Sequence, residues 1–351
     1  MTMALESAGS FVSDHDLTDV SKASAPEAKS RGAEPSGHTS EAQTSEAQTT
    51  EAQTTEAQRP EVRHRREEKG SILRWLHPDG CDWGANIADY DESAVEHARR
   101  WMGLLFGERR YFRLDVRGWD RVPDEAAMIV SNHSGGTLIP DVWGLVYSWY
   151  THFGTDRPLH PAAHDVVLGN RFTGPFFARR GVVRADRKVA RHVLSKWKQD
   201  LLVMPGGDLD TWRPFSKRYQ VRFSGRTGYA RLAIRAGVPI VPVANVGAHH
   251  TLIVLSDGRK LAELFRLPSL VRASIWPVHL SLPYGLAVGP WPHIPVPVRL
   301  RYRFAEPVRP EDVGAIPGQE PTEDQVIEMD RRVRAGMQAE LDQLRDDRRR
   351  R

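Results

Sequence analysis

A histidine, a carboxylate and two glycines fall within the run Ser131-Asn132-His133-Ser134-Gly135-Gly136-Thr137-Leu138-Ile139-Pro140-Asp141. A histidine held by a carboxylate can take a proton from an alcohol near neutral pH, because the carboxylate orients the imidazole and stabilises its charged form. The run follows one apolar stretch, residues 126–130, and leads into another, residues 142–153. The first has the length of a buried strand and the second the spacing of a helix, so His133 falls on a turn at a strand end. Such loops in α/β proteins are exposed yet rigidly anchored, which is why chemistry concentrates there. Histidine–carboxylate pairs are more often plain structural ion pairs than catalytic ones, and this pair alone does not decide between the two.

Three further segments suit a ligand by residue type. Gly181-Val182-Val183-Arg184-Ala185-Asp186-Arg187 ends in guanidinium groups, which grip phosphate oxygens through paired hydrogen bonds. The plain alternative is a surface ion pair with Asp186. Val203-Met204-Pro205-Gly206-Gly207-Asp208-Leu209-Asp210 carries a strand into a turn whose glycines admit a ligand close to the backbone, or simply make the turn tight. Val238-Pro239-Ile240-Val241-Pro242-Val243 reads as a hydrophobic strand, with core packing as the plain alternative.

The elements that must position these residues alternate. Strands are expected at 112–116, 128–131, 181–184, 201–204, 239–243 and 298–304, and helices at 142–153, 188–200 and 227–236, the last capped by Gly237. Residues 91–106 space their apolar side chains as an amphipathic helix. A Thr-x-x-Gln capping box after Pro321 opens a long helix over 322–344, with Val326, Met329, Val333, Met337, Leu341 and Leu344 on one face. This order predicts an α/β fold, a mixed and mainly parallel sheet covered by helices. Residues 1–68 are expected to be a disordered low-complexity tail: residues 39–58 repeat a five-residue unit offering only alanine to bury. One folded domain, 69–351, follows.

Charge divides along the same line. Residues 1–60 sum to −6 and residues 61–351 to +10, a balance that suits anionic partners such as membrane headgroups, phosphorylated substrates or coenzyme A. The basic residues are not aligned with stacking aromatics, so a nucleic-acid partner is not expected. Cys81 is the single cysteine, which excludes an internal disulfide and a cysteine-cluster metal site. With no signal-peptide core, the expected address is cytoplasmic. The run 273–298 has no Asp, Glu, Lys or Arg, but six prolines keep it from being a spanning helix. It reads either as a buried connection or as a surface that meets a membrane interface or an acyl chain.

The order of these segments resembles a family. An Asn-His strand end, then Gly-x-x-x-x-Asp-Arg, then Met-Pro-x-Gly, then Val-Pro-Ile-Val-Pro-Val is similar to the four blocks of the glycerolipid acyltransferase superfamily, which includes the lysophosphatidate and glycerol-3-phosphate acyltransferases. The segment Gly225-Arg226-Thr227-Gly228-Tyr229-Ala230-Arg231-Leu232-Ala233 resembles that family as well. The resemblance covers residues 116–304. It implies transfer of a fatty acyl group from acyl-CoA or acyl carrier protein to a hydroxyl of a lysophospholipid or glycerolipid, with no metal and no further cofactor. His133 would be the general base and Asp141 its partner. Asn132, Arg187, Pro205, Gly206 and Gly207 would bind substrate, Arg187 through a phosphate. A peripheral address on the inner face of the membrane is expected from the +10 charge of residues 61–351 and the uncharged run 273–298.

Two departures stand out. The family spacing, His-x-x-x-x-Asp, would place the aspartate at Leu138, whereas Asp141 comes three residues later. The third block reads Pro205-Gly206-Gly207-Asp208-Leu209 in place of Pro-Glu-Gly-Thr-Arg, closer to the diacylglycerol acyltransferase branch; Arg213, Lys217 and Arg218 lie downstream as substitutes. The longer His133–Asp141 spacing supports one rival, a non-catalytic lipid or acyl-CoA binding module of the same fold. A serine hydrolase is excluded in its usual form, because Ser134 sits in no Gly-x-Ser-x-Gly elbow.

Overall fold

The run Met128–Ser131 is the centre of the architecture, because all four of its side chains are buried and adjacent ones point to opposite faces. In the computed structural model, which describes residues 82–264 and 275–349, this strand is β3 of an eight-stranded sheet. The strands are β1 (Phe106–Gly107), β2 (Phe112–Arg117), β3, β4 (Leu159–Ala163), β5 (Val183–Arg184), β6 (Asp200–Val203), β7 (Ile240–Val246) and β11 (Val298–Phe304), in the order β1-β2-β11-β7-β3-β6-β4-β5. β3 runs parallel to β6 and β7, and β4 is parallel to both β6 and β5. Only the β11–β7 pair is antiparallel. The sheet is therefore α/β, mixed and mainly parallel, as the alternation predicts.

Two cores follow from the strand periodicity. Met128 and Val130 face helix Gly228–Ala236 and helix Glu323–Arg349, while Ile129 faces helix Pro140–Phe153. Burying a side chain of this size stabilises the fold by about 1.5–3 kcal/mol. The six apolar residues expected on one face of the long helix are all buried, and its capping box forms: Gln325 N–H donates to Thr322 Oγ1 and Thr322 N–H to Gln325 Oε1. Gly237 closes helix Gly228–Ala236 in the left-handed conformation, at φ 71°.

Other elements differ from the sequence pattern. The helix expected over 91–106 ends at Met102, because Phe106 and Gly107 pair with β2. The helix expected over 188–200 is helical from Arg187 to Arg191, widens into a π turn over His192–Lys196, and gives way to β6. β4 has no counterpart in the sequence reading. Residues 278–288, within the proline-rich run, form β9 (Val278–Ser281) and β10 (Gly285–Val288). With β8 (Ile253–Ser256) they make a separate antiparallel sheet, β10-β9-β8. Among the described residues no helix is long and apolar enough to cross a membrane. The tail, the 68/69 boundary, Cys81, residues 273–274 and the last two arginines lie outside the described residues.

Candidate active site

The end of β3 is built by side chains that continue the sheet after the backbone leaves it. The last β3–β7 backbone pair is Ser131 with Val243. Beyond it, Asn132 Oδ1 accepts from Asn245 N–H at 2.8 Å, and Asn132 Nδ2 donates to Asn245 O at 3.0 Å. Asn132 is fully buried and both ends of its amide serve β7, so the geometry makes it a clamp for the chain entering the loop. Asn245 returns the contact by donating to Ser131 Oγ at 3.0 Å.

His133 follows at the C-terminal edge of β3. Its Nδ1 lies 2.8 Å from Asp141 Oδ2, which also accepts from Ser134 N–H at 2.7 Å. Asp141 is fully buried in the first turn of helix Pro140–Phe153, where a carboxylate is favoured by the helix dipole. Tyr302 of β11 donates its hydroxyl to Asp141 O at 2.7 Å and fixes the helix start against the sheet. The three extra residues between histidine and aspartate are taken up by a left-handed Gly135 (φ 99°), a left-handed Gly136 (φ 66°) and a short 3-10 turn, Gly136–Leu138. Ile139 is left at φ 41°, a strained conformation for a β-branched residue. Leu138, where the shorter spacing would put a carboxylate, is 39% exposed.

A second aspartate reaches His133 from β6. After β6 the chain turns through Pro205 and Gly206 into helix Gly207–Thr211. Asp210 Oδ2 accepts the His133 backbone N–H at 2.6 Å, and Asp210 Oδ1 accepts from Arg213 Nη1 at 2.5 Å. A Cβ on Gly206 would stand 2.3 Å from the Asp210 Cβ, so only glycine lets Asp210 fold back over the turn. Gly207 adopts φ 55°. Arg226, from the segment between the third and fourth blocks, donates to Pro205 O at 3.1 Å and to Gly206 O at 3.3 Å. Arg213 is 1% exposed, donates to Gln220 O, and its Nη2 lies 3.3 Å from His249 Nε2. It is therefore a buried partner of Asp210 and does not replace the third-block arginine. Lys217 is exposed, and Arg218 stacks 4.1 Å from the Phe215 ring centroid.

These charges set the histidine's proton affinity. Burial opposes the charged ring, and the charge and hydrogen bond of Asp141, with help from Asp210, outweigh it, so the pKa of His133 stands above the ordinary histidine value. The Asp210 carboxyl is pushed up by burial, with Arg213 and the His133 N–H acting against the rise. Burial, then the nearby Arg213 charge, hold His249 well below the usual histidine range, so it stays neutral beside the guanidinium.

The structure brings His133, Asp141, Pro205, Gly206 and Gly207 to adjacent strand ends. Arg187 is on the same edge but farther out. It opens helix Arg187–Arg191 after β5, three strand positions from β3 and so about 14 Å away along the sheet. Asp186 caps that helix by accepting from Lys188 N–H and Val189 N–H. Sequence reasoning assigned no site role to Asp210, Asn245 or Tyr302. A cavity of about 570 Å³ lies between the Ser216–Gln220 turn and the terminal helix, and neither His133 nor Asp141 lines it. Among the described residues no group of three His, Cys, Asp or Glu side chains is placed to hold a metal.

Comparison with known proteins bears on this edge of the sheet. Residues 113–246 match the family described as Acyltransferase. Uncharacterized proteins of Mycobacterium tuberculosis and Mycobacterium bovis are 30% identical over 221 residues, which span 62% of this chain and 58% of each relative. A Mycobacterium leprae relative is 28% identical over the same length. The chain thus spans less than two thirds of the relatives it matches. The solved structure of the 1-acyl-sn-glycerophosphate acyltransferase PlsC of Thermotoga maritima aligns with 71% of this chain and 77% of its own, at 18% identity and a TM-score of 0.39.

Proposed function

From the match of residues 113–246 to the family described as Acyltransferase, we propose that the protein transfers a fatty acyl group from an acyl thioester, acyl-CoA or acyl carrier protein, to a hydroxyl of a lysophospholipid or glycerolipid. The observation that carries this reading is the 2.8 Å contact between His133 Nδ1 and the buried Asp141 carboxylate. With Nδ1–H donating to Asp141, Nε2 is the ring nitrogen that can accept a proton. His133 takes the proton of the acceptor hydroxyl, and the oxygen attacks the thioester carbonyl. The tetrahedral intermediate collapses, the C–S bond breaks, and the imidazolium returns its proton to the thiolate. The ester and free thiol are the products, with no acyl-enzyme.

The surrounding residues have supporting parts. Asp141 favours the imidazolium that forms during attack, consistent with the raised pKa of His133. Asp210 and Asn132 hold the loop from below. Of the backbone N–H groups on these two turns, Ser134 N–H is held by Asp141 and Gly207 N–H by Met204 O, which leaves those of Gly135, Gly136 and Gly206 as the donors for the developing oxyanion. Arg187, about 14 Å along the sheet edge, would meet a phosphate at the far end of an extended substrate on this reading. The non-catalytic binding reading drew its support from the longer His133–Asp141 spacing. The folded loop removes that separation.

The test is turnover of labelled acyl-CoA by the full-length protein against lysophospholipids, monoacylglycerol and diacylglycerol, for wild type and His133→Ala. Wild type should form one acylated lipid class, and the variant should lose about 10²–10⁴-fold in rate. Equal turnover by both proteins would overturn the reading.

A further inference from the structure

The small sheet has an arrangement that its fold does not need. Val254, His279 and Ala287 form a cross-strand row that is buried, with His279 against Trp212, and the register of β8 shifts just beyond it, between Val254 and Ser256. The neighbouring row, Ile253, Leu280 and Leu286, points outward and is exposed, Leu280 by 41% and Leu286 by 62%. Leu255, Leu282 and Val288 occupy the same outer face, and all three are exposed. Two-sided apolar strands on one exposed face are the mark of a surface with an occupant, because isolated exposed leucines are common but contiguous rows are not.

The outer face belongs to the edge of the molecule that carries His133. β8 follows the C-terminal end of β7, and Thr137, in the His133 loop, donates to Pro290 O at 3.1 Å. His293 and Leu252 pack so closely on Gly136 that a Cβ there would stand 3.1–3.2 Å from them. Continuity extends the other way as well. Ile294 N–H donates to Leu282 O, and Tyr111 donates its hydroxyl to Pro295 O at 2.7 Å. Tyr111 belongs to the turn before β2, beside exposed Leu104 and Leu105, and β11 places the start of β2 at this same edge.

The charge pattern selects the kind of occupant. Residues 275–298 contain no charged side chain, and exposed Tyr284 and Trp291 border the aliphatic rows. Exposed Arg109, Arg110, Arg259, Lys260 and Arg299 lie on the flanking segments. The exposed acids there are fewer, Glu108 and Glu263, while the half-buried Asp257 pairs with Arg259 at 3.0 Å. Aliphatic rows, bordering Tyr and Trp, and a basic rim together match the layers of an anionic bilayer surface, acyl region, interface and headgroups in turn. We propose that the outer face of β8-β9-β10, with the 104–111 turn, docks the protein on an anionic lipid bilayer and sets the His133 loop against it. The choice of a bilayer over a protein rests in part on the acyltransferase reading, whose acceptor is a lipid.

Co-sedimentation of the full-length protein tests this with vesicles of phosphatidylcholine alone and of phosphatidylcholine containing about one-third phosphatidylglycerol. Wild type should pellet with the anionic vesicles, and Leu280→Glu/Leu286→Glu should bind at least tenfold more weakly while keeping the wild-type circular dichroism. Leu282→Ala/Leu286→Ala, a milder pair at exposed positions, should bind at an intermediate level. Arg109→Glu/Arg110→Glu should lower binding to the anionic vesicles selectively. His133→Ala should pellet as wild type does even when it turns over nothing, which separates this proposal from the catalytic one. Failure of wild type to pellet, or unchanged pelleting of both leucine variants, would overturn the docking face. So would a wild-type dimer on size exclusion that the leucine variants dissociate, since the occupant would then be a second copy.

Discussion

The loop after β3 and the turn after β6 each bring a buried aspartate to the same histidine, and they grip different parts of it. Asp141 meets the imidazole, and Asp210 meets the backbone N–H. Asp141 arrives through a strained loop on the first turn of a helix, and its carboxylate is bonded to the His133 ring and the Ser134 N–H. Asp210 arrives through a glycine turn already paired to Arg213. A carboxylate paired to the ring alters how tightly the ring holds a proton. One paired to a guanidinium and a backbone N–H has its charge satisfied elsewhere and acts as a post. The two aspartates therefore divide the work, one setting proton affinity and the other setting position.

Substitutions that keep shape and remove charge separate the two roles. Asp141→Asn should lower turnover by about 10²–10⁴-fold with a small change in stability, because the ring loses its anionic partner and its fixed tautomer. Asp210→Asn should leave the Arg213 charge buried without its counter-ion and destabilise the fold by about 3–5 kcal/mol, seen in the denaturation midpoint. Its turnover, measured where the variant is folded, should fall less than that of Asp141→Asn. A folded and stable Asp210→Asn that is as inactive as Asp141→Asn would erase the division. Gly206→Ala sharpens the same comparison: its methyl group would collide with Asp210, and displacement of the helix turn should cost about 1–3 kcal/mol. A midpoint unchanged by that substitution would show that the turn after β6 has room to spare.

Much of this arrangement was legible in the sequence where a pattern repeats. The strands Met128–Ser131 and Val298–Phe304 coincide with their expected bounds, and the stripe from Val326 to Leu344 is the buried face of the terminal helix. Apolar periodicity reports burial directly, so it survives folding. β4 did not show, because Leu159-His160-Pro161-Ala162-Ala163 carries a proline and a histidine; His160 is buried only by bonding to Gly181 O and Gln199. The second sheet was hidden for the related reason that six prolines mask its alternation, although the two-residue period Leu280, Leu282 and Leu286, Val288 is there once the strands are known. At the site, His133 and Asp141 stood out by type. Asp210 did not, because its partner is a backbone N–H 77 residues away and spacing carries no trace of such a contact. Gly206, four residues before it, was the available signal, since a second glycine in a turn that needs one points to something packed on it.

The most direct test of the central claim is the pH dependence of turnover at saturating acyl-CoA, for wild type and Asp141→Asn. A general base works when neutral, and His133 is held above the ordinary histidine value chiefly by Asp141 acting against burial. Wild-type turnover should therefore rise with pH through an apparent pKa above 6.5, the unperturbed value. In Asp141→Asn burial is no longer opposed by that charge, and the acid limb should move to lower pH on a much reduced plateau. An acid limb at the same pH in both proteins would contradict the pairing of His133 with Asp141 as the source of the base.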